Sequence, residues 1–165
     1  MEISPVFLHL FHNRIERVLH LPGNFTGPVL EMTLVLDHSV EAKTLQETTS
    51  VLLRSLKQQS EVFRNVRFCV VNWETDAEIT TQVCPMLMAM SESFYQDHGQ
   101  KKEQKRIELL YQYLKFYHAR SKLVLLLTDG KYVVGDEQAK NTALKPFLGR
   151  KLIQIVITEK GMEFA

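Results

Sequence analysis

The chain has 165 residues, 45% of them hydrophobic and 24% charged, with a formal net charge of +1. That is the composition of one globular domain long enough to bury a core without staples. The near-neutral charge gives no reason to expect nucleic acid or an anionic membrane as partner. No apolar run reaches bilayer-spanning length. The opening "MEISPVFLHLFHNRIERVLHL" starts acidic and is interrupted by His and Arg, unlike a secretory signal. A cytoplasmic location is expected.

Residues 6–21 place Phe7, Phe11, Ile15, Val18 and Leu19 at helical spacing, although "VFLHLF" alone could be a strand. "LPGNFTGP" (21–28) reads as a loop and carries a glycosylation triplet at Asn24 that matters only in a secreted chain. Residues 1–28 are thus an N-terminal helix and loop, and residues 29–165 the main domain. "VLEMTLVL" (29–36) is an apolar strand ending at Asp37, and 41–59 turns helical. "VRFCVVNW" (66–73) and "EITTQVCP" (78–85) are strands separated by the turn "ETDA", close enough that they must pair as a hairpin.

A helix is expected over 85–95, with Met86, Leu87, Met90 and Phe94 as its stripe. A polar break at 96–105 follows. Ile107, Leu110, Tyr111, Leu114 and Tyr117 then mark a second helix. "KLVLLLT" (122–128) is the most buried-looking strand and ends at Asp129. A helix over 136–149, broken near Pro146, a last strand 151–158 and a short tail complete the chain. Strands apolar throughout are covered on both faces. The order therefore predicts an α/β fold: a three-layer, doubly wound, mostly parallel Rossmann-type sheet with one antiparallel edge strand at 78–85.

Ligands bind such sheets at the carboxyl ends of the strands. Asp37 and Asp129 both stand there, and Ser39 and Glu41 can turn back from the loop after Asp37. An oxygen-only set of Asp37, Ser39, Glu41 and Asp129 suits Mg²⁺ or another hard divalent cation. The same residues also fit a plain strand-to-helix turn, with Ser39 as N-cap and Glu41 in the first helical turn.

"LVLDHSVEA" followed by "LLLTDGKY" resembles the von Willebrand factor A-type (VWA) domain, over roughly residues 29–158. That family builds a metal-ion-dependent adhesion site (MIDAS) from an Asp-x-Ser-x-Ser loop, a Thr in a second loop and an Asp in a third. The resemblance assigns Asp37, Ser39 and Asp129 to motif positions and sets Glu41 where the second serine is expected. The threonine would fall near "QDHGQKKE", but no Thr occurs between Thr81 and Thr128. The family usually adds a helix and a sixth strand after the fifth, a flank that residues 6–21 are expected to cover. The resemblance implies a non-enzymatic protein-binding module. Its partner-binding rim would include His38, Trp73, Asp97 and Gly130. A decayed, metal-independent assembly module is the alternative.

Chemistry beyond binding has little support. There is no Asp-x-Asp after the first strand, no Gly-rich phosphate loop and no Gly-x-Ser-x-Gly elbow for a Mg²⁺-dependent phosphoryl-transfer or hydrolytic enzyme. No Cys/His pair is evident. Cys69 and Cys84 read as buried free thiols in a reducing compartment. His9, His12 and His20 suit a surface helix better than zinc. "KKEQKR" (101–106) reads as a solvated helical face rather than a nucleic-acid patch.

Overall fold

The computed structural model describes residues 3–21, 29–147 and 151–165. Asn24 and most of the 21–28 loop lie outside the described residues, as does the end of the 136–149 helix.

The described residues form a sheet in the order β3-β2-β1-β4-β5-β6. Its strands are β1 (Leu30–Asp37), β2 (Val66–Trp73), β3 (Ile79–Val83), β4 (Leu123–Thr128), β5 (Leu152–Thr158) and β6 (Gly161–Phe164). β2, β1, β4 and β5 run parallel, and β3 and β6 close the two edges antiparallel. The expected mostly parallel sheet is present. The tail adds a second antiparallel edge, because Gly161, at φ +128°, lets the chain reverse straight after β5.

Alternation along each strand divides the core in two. Leu34 and Leu36, with Val70, Leu125 and Ile155, pack against α1 (Pro5–Leu19) and α2 (Ala42–Gln59). Val35, Val71, Trp73, Val124 and Leu126 face α3 (Ile107–Tyr117) and α4 (Glu137–Leu144). Helices therefore cover both faces, as three layers require.

α1 is a helix, capped by the Ser4 side chain and carrying Pro5 at its first position. It covers the β5–β6 flank: Phe7 stacks on Phe164 at 4.7 Å, and the Arg14 guanidinium lies 4.2 Å from the same ring. Its buried stripe joins the sheet core, so the N-terminal helix and the main domain share one hydrophobic interior.

The helix expected over 85–95 is not formed. Two short 3-10 turns, Met88–Met90 and Glu92–Tyr95, stand there instead. Ser91 adopts an extended backbone between them, and Tyr95 donates from its buried hydroxyl to the Ala89 carbonyl at 2.6 Å. Of the stripe at 86–94, Met86 is buried and Leu87 is exposed, so the spacing marks no continuous helical face.

Candidate functional site

Parallel register brings the carboxyl ends of β1, β2 and β4 level: Asp37 lies beside Trp73, and Leu36 beside Leu127. The odd residues of β1 face α3 and α4, so Asp37 points into that layer at the strand's end. The segment 99–107 crosses the same end. It is pinned to the 38–41 loop by the Lys101 amide on the His38 carbonyl (2.7 Å) and by the Gln100 side chain on the Ser39 carbonyl (3.0 Å). Paired backbone hydrogen bonds fix it to Val133, and Arg106 holds Asp76 of the β2–β3 turn.

This crossing carries Lys105 inward. Its side chain is 2% exposed and Asp37 is 1% exposed. The Lys105 ammonium donates to Asp37 Oδ1 and, at 2.9 Å, to the Trp73 carbonyl. It also lies 4.2 Å from the centre of the Trp73 ring. The Ser39 amide donates to the same Oδ1 at 2.9 Å, and the Thr128 hydroxyl to Oδ2 at 2.6 Å. Burial pushes the Lys105 pKa below its ordinary value, against the opposing pull of the Asp37 and then the Asp129 charge. A buried carboxylate needs a counter-charge and full hydrogen bonding, and here a side chain of the same chain supplies the cation. A divalent ion at this carboxylate would have to displace an ammonium.

The residues assigned by resemblance divide accordingly. Asp37 is the buried anchor. Ser39 and Asp129 line a cleft of about 380 Å³ together with Lys105. The Asp129 carboxylate accepts from the Lys131 amide at 3.0 Å. Glu41 is exposed at the N-cap of α2 and makes no side-chain capping bond. Ser39 is therefore not the cap, and Glu41 precedes the first turn instead of sitting in it. Among the described residues, no three His, Cys, Asp or Glu side chains come together as metal ligands.

The expected rim needs correction. Trp73 is fully buried and His38 is 2% exposed, so neither presents a surface. Trp73 faces the α3 layer, and His38 is covered by the crossing segment. Asp97 and Gly130 are exposed. Gly130 takes φ +75°, which lets the loop after β4 turn over Thr128, whose hydroxyl accepts from the Gly130 amide at 3.0 Å.

His38 belongs to a second polar cluster. Its ring stacks on His98 at 4.3 Å, and its Nε2–H donates to Asn72 Oδ1 at 2.8 Å. His98 Nδ1 donates to Glu74 Oε1 at 2.9 Å. Burial lowers the His38 pKa to about 4, ahead of the Asn72 hydrogen bond that raises it. Burial alone would raise the Glu74 pKa, but the hydrogen bond and charge of His98, with His38 behind it, bring it below the usual range.

Lys105 is the residue sequence reading missed. It stands at the end of a polar run that reads as solvent-facing, with no periodicity to mark it. The available signal was a deficit: a carboxylate buried at the end of β1 requires a cation from elsewhere in the chain.

No protein-family model matches this chain, and no curated protein sequence matches it. Among the described residues, no helix is long and apolar enough to cross a membrane.

Proposed function

We propose that this chain is a metal-independent protein-interaction module of the VWA type, in which the Lys105 ammonium takes the place of a divalent cation. The supporting observation is the Asp37 carboxylate, whose two oxygens are held by Lys105, Thr128 and the Ser39 amide. The sheet order, with its antiparallel hairpin strand β3, agrees with the resemblance in "LVLDHSVEA" and "LLLTDGKY".

The pair organises a rim it does not itself expose. Lys105 ties the crossing segment to β1 and β2, so Gln100, Lys101 and Lys102 line one cleft with Asp129 and Lys131. Three rim lysines against Glu103 and Asp129 favour a partner that offers an acidic side chain.

Thermal unfolding with and without millimolar Mg²⁺ or Mn²⁺ tests the reading. A ligand that binds only the native state raises the midpoint. The wild-type chain should melt at the same temperature in both. An upward shift that Asp129→Ala removes would instead support the adhesion site with bound metal.

A further inference from the structure

A different constellation lies at the opposite end of the sheet. Cys69 on β2 lines an open cleft of about 750 Å³ and is half-buried, where a fully buried thiol was expected. His118, the residue after α3, points its Nδ1 at Cys69 Sγ across 3.7 Å. Its Nε2 lies 2.8 Å from Thr81 Oγ1, which in turn lies 2.8 Å from the Tyr113 hydroxyl. The hydrogen-bond chain can be protonated in either direction, and one of the two makes His118 a base toward the thiol. In that direction Cys69 S–H donates to Nδ1, Nε2–H donates to Thr81, and Thr81 O–H donates to Tyr113. Nucleophile, base and base-orienting hydroxyl are thus in line. The pair is invisible in sequence because β2 and the end of α3 meet only in the folded layer.

We infer that Cys69 and His118 form a thiol–disulfide exchange site for small disulfides that carry carboxylates. Disulfide exchange needs an attacking sulfur, a proton acceptor and access, and all three are present. The proton of Cys69 passes to His118 Nδ1 as sulfur attacks one sulfur of the substrate. The substrate S–S bond breaks while the new Cys69 S–S bond forms, and the departing thiolate takes the proton from His118. Cys69 is oxidised and the leaving thiol is reduced. The Thr33 hydroxyl, 3.4 Å from Sγ and 2.5 Å from Ser121 Oγ, stands where charge develops on sulfur.

Both resting groups are neutral. Burial raises the Cys69 thiol and lowers the His118 imidazole, so the thiol depends on its base. The charged side chains lining the cleft are Arg67 and Arg120 against Glu31, an excess of positive charge that suits a carboxylate. Cys84 does not resolve the product. Cys84 reaches the same cleft, but both thiols are free, the cross-strand partner of Cys69 is Val83, and the Cys84 side chain packs in the core of the other face.

The test is the native protein's reaction with dithionitrobenzoate, an anionic aromatic disulfide, against neutral hydroxyethyl disulfide. The wild type should show one fast thiol, absent in Cys69→Ser and retained in Cys84→Ser. Its rate should be flat with pH between the titrations of His118 and Cys69, whereas an unassisted thiol gains about tenfold per pH unit below its pKa. Glu31, Arg67, Cys84, Tyr113, Tyr117 and Arg120 face the pair and must be unchanged in that comparison. His118→Gln should slow the reaction at least tenfold at neutral pH. Arg120→Gln should slow dithionitrobenzoate and spare the neutral disulfide. A tenfold-per-unit rise in the wild type, an unaffected His118→Gln, or a Cys69 no faster than Cys84 overturns the site. Equal loss with both disulfides after Arg120→Gln, or no loss with either, overturns the carboxylate preference. The wild-type pH profile decides the matter if His118→Gln does not fold.

Discussion

Lys105 sits over the face of Trp73, its ammonium 4.2 Å from the ring centre, and donates to the carbonyl of the same residue at 2.9 Å. Trp73 is the only tryptophan in the chain, so the crossing segment has a built-in optical reporter. Native emission should be that of an indole shielded from water and poorly quenched by acrylamide. Lys105→Met should alter its intensity without unfolding the sheet. Ready quenching in the native state would mean that the segment 99–107 does not cover the ring.

Removing one member of a buried ion pair costs about 3–5 kcal/mol because the other charge is left uncompensated. Lys105→Met should destabilise the fold by that order in urea unfolding. Thr128→Val removes one hydrogen bond to a charged acceptor, and about 1.5–3 kcal/mol is expected. A Lys105→Met variant as stable as wild type would show that the ammonium is solvated.

Acid should weaken the domain through His38. Its folded pKa, about 4, lies below the ordinary value of 6.5. Between those values the unfolded chain binds a proton that the folded chain refuses. Stability is therefore full above pH 6.5 and falls as pH drops toward 4, by about 3 kcal/mol at roughly 1.4 kcal/mol per unit. Glu74, held below its usual range, loses its contribution in the same direction at lower pH. His38→Gln should flatten the decline between pH 6.5 and 4. Parallel stability curves for variant and wild type would show that His38 does not carry it.

Gly130 occupies a backbone region that L-residues rarely adopt, and a Cβ there would stand 3.1 Å from Val156 Cγ1. Gly130→Ala should cost about 1–2 kcal/mol from the left-handed conformation alone. It should also loosen the Thr128 contact with Asp37. An unchanged melting temperature would mean that this loop relaxes freely.

Local pattern carried much of this fold. The parallel strands announce themselves as apolar runs, α2 and α3 as 3.6-residue stripes, and the β2–β3 hairpin by its short connection. The stripe of Met86, Leu87, Met90 and Phe94 fits helical spacing, but Leu87 is exposed and the segment buries Ala89 and Tyr95 from two 3-10 turns instead. In the site, Asp37 was legible because a carboxylate ending a buried strand violates ordinary burial. Its partner was not, since Lys105 comes from a segment whose composition is that of solvated chain. Strand register fixes position along the sheet but not cover from a crossing loop, so the rim expectation fails at Trp73 and His38. The Cys69–His118 pair depends on the docking angle of α3, which no local pattern encodes.

On the proposed function, Lys105 is the counter-ion of Asp37 in place of a metal. The most direct measurement is a double-mutant cycle of Asp37→Asn and Lys105→Met, read by urea unfolding with and without Mg²⁺. Each single variant should lose several kcal/mol and the double variant less than their sum, with a coupling of about 0.5–3 kcal/mol that Mg²⁺ leaves unchanged. Additive losses, or a wild-type stability that rises with Mg²⁺ only while Asp37 is present, would contradict it.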